Sequence, residues 1–253
     1  MEVHHHAHPA TGEARKKWTH YLWEFLMLFL AVYLGFLVEN LREHRIEHKR
    51  AQNYIESFYE DLKTDTTKLS RIIRFETIKV YNLSVFRSCY DSLLQNKNPA
   101  SFLGIIKNSL FNNKFGPEQR TIVQLSNAGG YRLLKKEDAD SITSYVQRCN
   151  VIENYESTAY QETQDNLRNL FNRFIDFPAN ASLNKNLAEQ PFPDVDSLTI
   201  PLIGDGSKPV LNEYFNTLLL YIRVIVNHRN LMQKVNEKAL GLIEYFKRKY
   251  DFH

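Results

Sequence analysis

The residues best equipped for chemistry are the histidines and the carboxylates near them. His4, His5, His6 and His8 crowd the first eight positions, and neutral imidazoles at that density bind Zn, Ni or Cu in many geometries. No fixed hydrogen-bonding partners for these rings can be read from the sequence, so the tail is first a solvated, pH-responsive segment and second a metal site. His44 and His48 stand four apart beside Glu43 and Glu47, a helical spacing that can hold a divalent ion. In a run of alternating charge the same residues more simply form a solvated face. Glu60, Asp61 and Asp65 read as a solvated acidic stripe, and His228 as a partly buried polar residue. Cys89 and Cys149 are too few for a disulfide scaffold or a zinc cluster and read as two buried or unpaired thiols. A single bridge between them is the alternative, and it would require an oxidising compartment.

Enzymatic signatures are missing. The sequence has no phosphate-cradling glycine loop, nucleophile elbow, HExxH or CxxC, so no catalytic residue and no cofactor is assigned and the chain is read as a non-enzyme. Its 32 basic and 29 acidic residues leave a formal charge of +3, too small an excess to follow a phosphate backbone, which argues against nucleic acid as a partner. Only 9 Gly and 8 Pro occur in 253 residues, a composition that favours long helices over hairpins.

One element must position part of this chemistry in a membrane. Residues 18–38 read WTHYLWEFLMLFLAVYLGFLV, and 25–38 contain no charge. At a rise of ~1.5 Å per residue such a helix covers about 30 Å, the thickness of a bilayer core. Arg15, Lys16 and Lys17 close it on one side; Glu39, Arg42, Glu43 and Arg45 close it on the other; Trp18, Tyr21 and Trp23 sit where an interfacial belt would lie. No small-residue cleavage site follows the apolar run, so the segment is expected to remain as a single-pass anchor. On a helical wheel Glu24, Leu28, Ala31, Gly35 and Glu39 share one stripe. Ala31 and Gly35 form a small-xxx-small pair that lets two helices approach in lipid, so homo-oligomerisation through the span is expected. Glu24 on the same stripe either snorkels to the headgroups or shares a proton, with His20 one turn earlier or with its counterpart in a second copy.

The HHHAH tail, the KKW that follows, EFLMLFLAVYLGFLVENLREH, YIESFYEDLKTDT and the later QLSNAGGYRLL together carry a resemblance. The chain resembles a family of bacterial single-span membrane proteins known as a domain of unknown function, most closely over about the first seventy residues. That resemblance implies a bacterial inner-membrane location and a helical body, and carries no activity, cofactor or catalytic residue.

Beyond the span, apolar residues recur at three, four or seven in Ala51, Ile55, Phe58, Leu62, Leu69 and Ile72, predicting that the anchor runs on as one helix to about Leu94. Short helices are expected at 99–111 and 118–127, a long one at 136–177, a loop at about 178–209, and a last helix at 210–250. The reading is all-α: a His-rich tail at 1–17, a transmembrane helix at 18–38, and an antiparallel helical bundle over 39–253. The contiguous basic residues before the span favour a cytoplasmic N-terminus and a periplasmic bundle. Two functions remain in view. One is a membrane-anchored structural or interaction component of a bacterial envelope, with a protein partner that the sequence does not identify. The other is a proton- or metal-responsive membrane component that uses Glu24 and the histidine tail.

Overall fold

The computed structural model describes residues 13–95, 111–178 and 206–252, together with 97, 102, 105, 106, 109, 181, 203 and 204. His4, His5, His6 and His8, and most of the loop expected at 178–209, lie outside the described residues. The fold is all-α. Its elements are α1 (Glu13–Ser84), α2 (Phe86–Leu94), α3 (Arg120–Asn127), a 3-10 turn (Gly130–Leu133), α4 (Lys136–Tyr155), a π-helical turn (Glu156–Tyr160), α5 (Gln161–Phe174) and α6 (Lys208–Tyr250). Among the described residues the one extended pairing is an isolated bridge between Ile175 and Ile203.

Packing divides the chain into two units, Met1–Tyr54 and Ile55–His253. In the first, α1 carries an 18-residue window of mean hydropathy 2.0 with none of it buried, long and apolar enough to cross a membrane. Apolar side chains are exposed on every side of it, Phe25, Leu28, Val32 and Phe36 among them, and Phe25, Phe29 and Tyr33 stack along one face.

The second unit begins where α1 first buries a side chain, at Ile55. From there Ile55, Phe58, Leu62, Leu69, Ile72 and Leu83 are buried at heptad spacing, and the remaining positions of that pattern are Asp65, Glu76 and Lys79, buried as well. The last helix follows the same rule: Leu211, Tyr214, Leu218, Tyr221, Ile225, His228, Met232, Val235, Ala239, Leu242 and Phe246 alternate by three and four, and all are buried. A 3.5-residue repeat keeps one seam facing its partners, the geometry of knobs-into-holes packing.

Cross-contacts fix the directions. Phe58 meets Phe246, Glu76 meets His228, and Lys79 meets Tyr221, so α6 runs antiparallel to α1. Phe58 and Asp65 meet Tyr145 whereas Lys79 meets Tyr160, so α4 and α5 run parallel to α1. The antiparallel arrangement therefore holds between α6 and the other long helices. α1 and α4 can run the same way because the chain between them doubles back along α1. Phe111 lies at Lys79, Glu118 at Asp65 and Thr121 at Asp61.

Element ends differ from the sequence reading chiefly in three places. α1 stops at Ser84, where the Ser84 and Ser88 hydroxyls donate to the carbonyls of Tyr81 and Val85, a back-bonding that competes with the helical ladder. α3 starts at Arg120, and Gly129 past its end takes a left-handed φ of 61° that favours glycine. The helix expected at 136–177 is interrupted at Glu156–Tyr160. Of the helix expected at 99–111, the described Phe102, Ile105, Ile106 and Ser109 are helical and buried, whereas Phe111 is non-helical and exposed.

Candidate functional site

The π-helical turn has a cause in the sequence. The buried stripe runs Asp138, Ile142, Tyr145, Cys149, Ile152, Glu156, Tyr160, Thr163, Leu167, Leu170 and Phe174. Its alternation of four and three breaks once, at Glu156 to Tyr160, where a step of four stands in place of three. One extra residue has entered the helix, and the wider i, i+5 turn absorbs it so that both halves keep the same face inward. π-turns of this kind frequently accompany functional sites, and this one delivers Glu156 into the middle of the core.

There His228 is 1% exposed, and both of its ring nitrogens meet carboxylates. Nδ1 lies 2.7 Å from Glu76 Oε1 on α1, and Nε2 lies 2.9 Å from Glu156 Oε1 on the π-turn. A neutral imidazole has only one N–H, so two ionised carboxylates at these distances require the imidazolium. Burial disfavours that charge, but the bonds to Glu156 and then to Glu76 outweigh it and hold His228 above the usual imidazole range. Tyr155 stacks on the ring and Tyr160 meets it edge-on, with centroids 4.9 Å away for Tyr160. Glu156 Oε1 also accepts the Phe115 N–H at 2.8 Å. Glu76 Oε2, by contrast, is buried without a hydrogen-bond partner.

One turn along α1 sits Lys79, 1% exposed. Its ammonium donates to the Phe111 carbonyl, to Tyr221 Oη at 2.7 Å and to Tyr160 Oη at 3.3 Å. Three donors thus meet three acceptors, with the charge lying over the Tyr221 and Tyr160 rings. Burial nevertheless lowers Lys79 to about 7, against the opposing pull of Glu76. Fully charged, the cluster balances: Glu76 and Glu156 against His228 and Lys79. No substrate can touch groups this deeply covered, so the chemistry open to them is the holding and release of protons.

Two further polar layers lie nearer the start of the bundle. Asp65 is 1% exposed and accepts from Tyr145 Oη and the Glu118 N–H; burial raises it despite those bonds. Asp61 accepts from Thr121 and Arg120. At that same end of the bundle, where α4 starts and α6 finishes, Asp138 accepts from Tyr245, Lys249 and Tyr250. The solvated acidic stripe expected at Glu60, Asp61 and Asp65 is therefore corrected. Glu60 is exposed, but Asp61 and Asp65 point inward because the returning segment 111–121 brings donors to them. The partly buried reading of His228 is corrected likewise: it is a core residue holding two helices.

The other residues singled out from sequence fall elsewhere. Glu24 and His20 form a pair at 3.4 Å with both side chains largely exposed. Ala31 and Gly35 lie on the exposed apolar helix, and a Cβ added at Gly35 would meet nothing within 4 Å. His44 and His48 are exposed, and among the described residues no group of three or more His, Cys, Asp or Glu is placed to hold a metal. Cys89 and Cys149 are buried thiols not joined by a disulfide, and burial pushes the Cys149 thiol up to about 12. The buried Glu76, Lys79 and Glu156 were missed, although Glu76 and Lys79 sit on a heptad stripe that extends either side of them. Compared with protein-family models, curated proteins and solved structures, the chain matches none.

Proposed function

We propose that the chain is a single-pass membrane protein whose helical unit acts by binding other proteins rather than by catalysis. The observation that carries this reading is the apolar window of α1, exposed all round with mean hydropathy 2.0. An isolated helix cannot leave that surface in water, and a bilayer covers it without any other partner. The sealed core of the second unit offers its polar groups to no substrate, which favours a binding role. The proposed setting is a bacterial inner membrane, with the N-terminus in the cytoplasm and the helical unit in the periplasm, as the basic residues before the span suggest. A second copy packing on the Ala31 and Gly35 face completes the proposal.

Alkaline phosphatase and green fluorescent protein fused after His253 test the placement. Phosphatase activity in the membrane fraction, resistant to carbonate extraction, is the expected result. Fluorescence without phosphatase activity would reverse the orientation, and release of a product cleaved beyond Val38 would make the helix a signal sequence.

A proton-responsive role for the span is the second reading, favoured by the His20 and Glu24 pair. Glu24→Gln should then abolish a pH response while leaving assembly intact.

A further inference from the structure

We propose that the Glu76, His228 and Glu156 bridge is a proton-dependent latch: the imidazolium ties α1, the π-turn and α6 together, and loss of its proton releases α1. Neither the anchoring nor the binding role is needed for this; it stands on the second unit alone.

The geometry sets which side opens. When the imidazolium gives its proton to solvent, one ring N–H remains and the other nitrogen presents a lone pair to a carboxylate oxygen, turning a charge-assisted bond into a repulsion. Glu156 is held in place by the Phe115 N–H as well as by the ring, so the retained N–H stays with it. Glu76 has no second bond, its Oε2 being bare inside the core, and its contact at Nδ1 is the one that fails. Glu76 lies on α1, and an unpaired carboxylate cannot remain buried there without cost. A shift of α1 would bring it to water.

The surroundings bias this latch. From α1 the ring is faced by Glu76, with Lys79 a turn beyond; from the end of α4 by Tyr155; from the π-turn by Glu156 and Tyr160. On its own helix α6, Tyr221 lies two turns back and Arg229 follows, reaching toward Thr77 of α1. The returning segment supplies only the Phe111 carbonyl and the Phe115 amide. Lys79 is therefore the one other cation in the cluster. While it is charged it weakens the imidazolium's hold on its proton, and its own deprotonation strengthens that hold. The latch thus stays shut through neutrality and opens on the alkaline side.

The test uses the full chain in detergent micelles. Nitrogen NMR of the 15N-histidine-labelled protein, with His228→Gln to assign the signal, should show both His228 nitrogens protonated at neutral pH. Hydrogen exchange corrected for its intrinsic pH dependence should show peptides covering 72–84 losing protection about tenfold, one pH unit of linkage, once that signal titrates. His228→Gln should abolish this alkaline loss of protection. Glu156→Gln, which keeps the shape and removes one charge, should move the titration to lower pH, and it serves if the first variant does not fold. A neutral imidazole at neutral pH in the wild-type protein would overturn the proposal, as would equal pH-dependent loss of protection in both variants and the wild type.

Discussion

His228 and Lys79 illustrate how one buried layer can respond to pH in two opposed ways. Lys79 sits at about 7 in the folded chain against about 10.4 when unfolded. Between those values the unfolded chain binds the extra proton, so stability rises with pH. His228 is raised in the folded chain, so its contribution is fully present below the unfolded value of about 6.5 and is lost as pH rises through the folded one. The two slopes oppose one another above neutrality. Urea unfolding of the full chain across a pH series should therefore change little for the wild type. Lys79→Met should lose about 1.4 kcal/mol per pH unit as the pH climbs past neutrality, and His228→Gln should gain about as much between pH ~7 and ~10. Parallel curves for the two variants would contradict this account. His228→Ala leaves two carboxylates facing each other in the core and should cost about 3–5 kcal/mol at neutral pH.

Among the elements, the π-turn is the one whose removal can be specified in advance. Ser157 is exposed, and deleting it shortens the step from Glu156 to Tyr160 from four residues to three, so the interrupted helix should close into continuous α-helix with both halves still facing inward. The expected product keeps its helical circular dichroism but loses the Glu156 contact with His228, and its thermal midpoint should fall to that of Glu156→Gln. A drop well beyond that variant would mean that the extra residue supports more than this one contact. The start of α4 and the end of α6 are joined by Asp138, where burial alone would raise the carboxyl but bonds from Lys249, Tyr250 and Tyr245 hold it below its ordinary value. A depressed carboxylate stabilises above its unfolded pKa and ceases to do so as pH falls through the folded one. Asp138→Ala should cost about 3 kcal/mol at neutral pH, measured by urea unfolding, and make the remaining stability less sensitive to acid below pH ~4.

For the whole molecule, the proposed self-association rests on a surface that no other part of the described chain covers. Because a Cβ at Gly35 meets nothing within 4 Å, Gly35→Leu introduces no clash within one chain, and any effect it has on assembly arises between chains. A membrane two-hybrid assay should show a weakened signal for Gly35→Leu and an unchanged one for Leu30→Ala on the opposite face. Equal signals from both would remove Ala31 and Gly35 as the packing face.

The all-α class, the apolar span and most of the buried stripes were determined by the sequence itself, because hydrophobic periodicity and glycine and proline placement act locally. Even the polar core could have been read there. Asp65, Glu76 and Lys79 fall on the heptad that carries Ile55 to Leu83, and His228 falls between Ile225 and Met232. What the sequence could not decide is why polar residues are tolerated at core positions. The answer depends on partners far away in the chain: Thr121 for Asp61, Tyr145 for Asp65, His228 for Glu76, Tyr221 for Lys79. Without those partners a carboxylate on a helix reads as solvent-facing, since a lone buried charge is too costly to assume. Only the tertiary structure, by running α4 parallel and α6 antiparallel to α1 and folding segment 111–121 back along α1, brings each buried polar group to its partner.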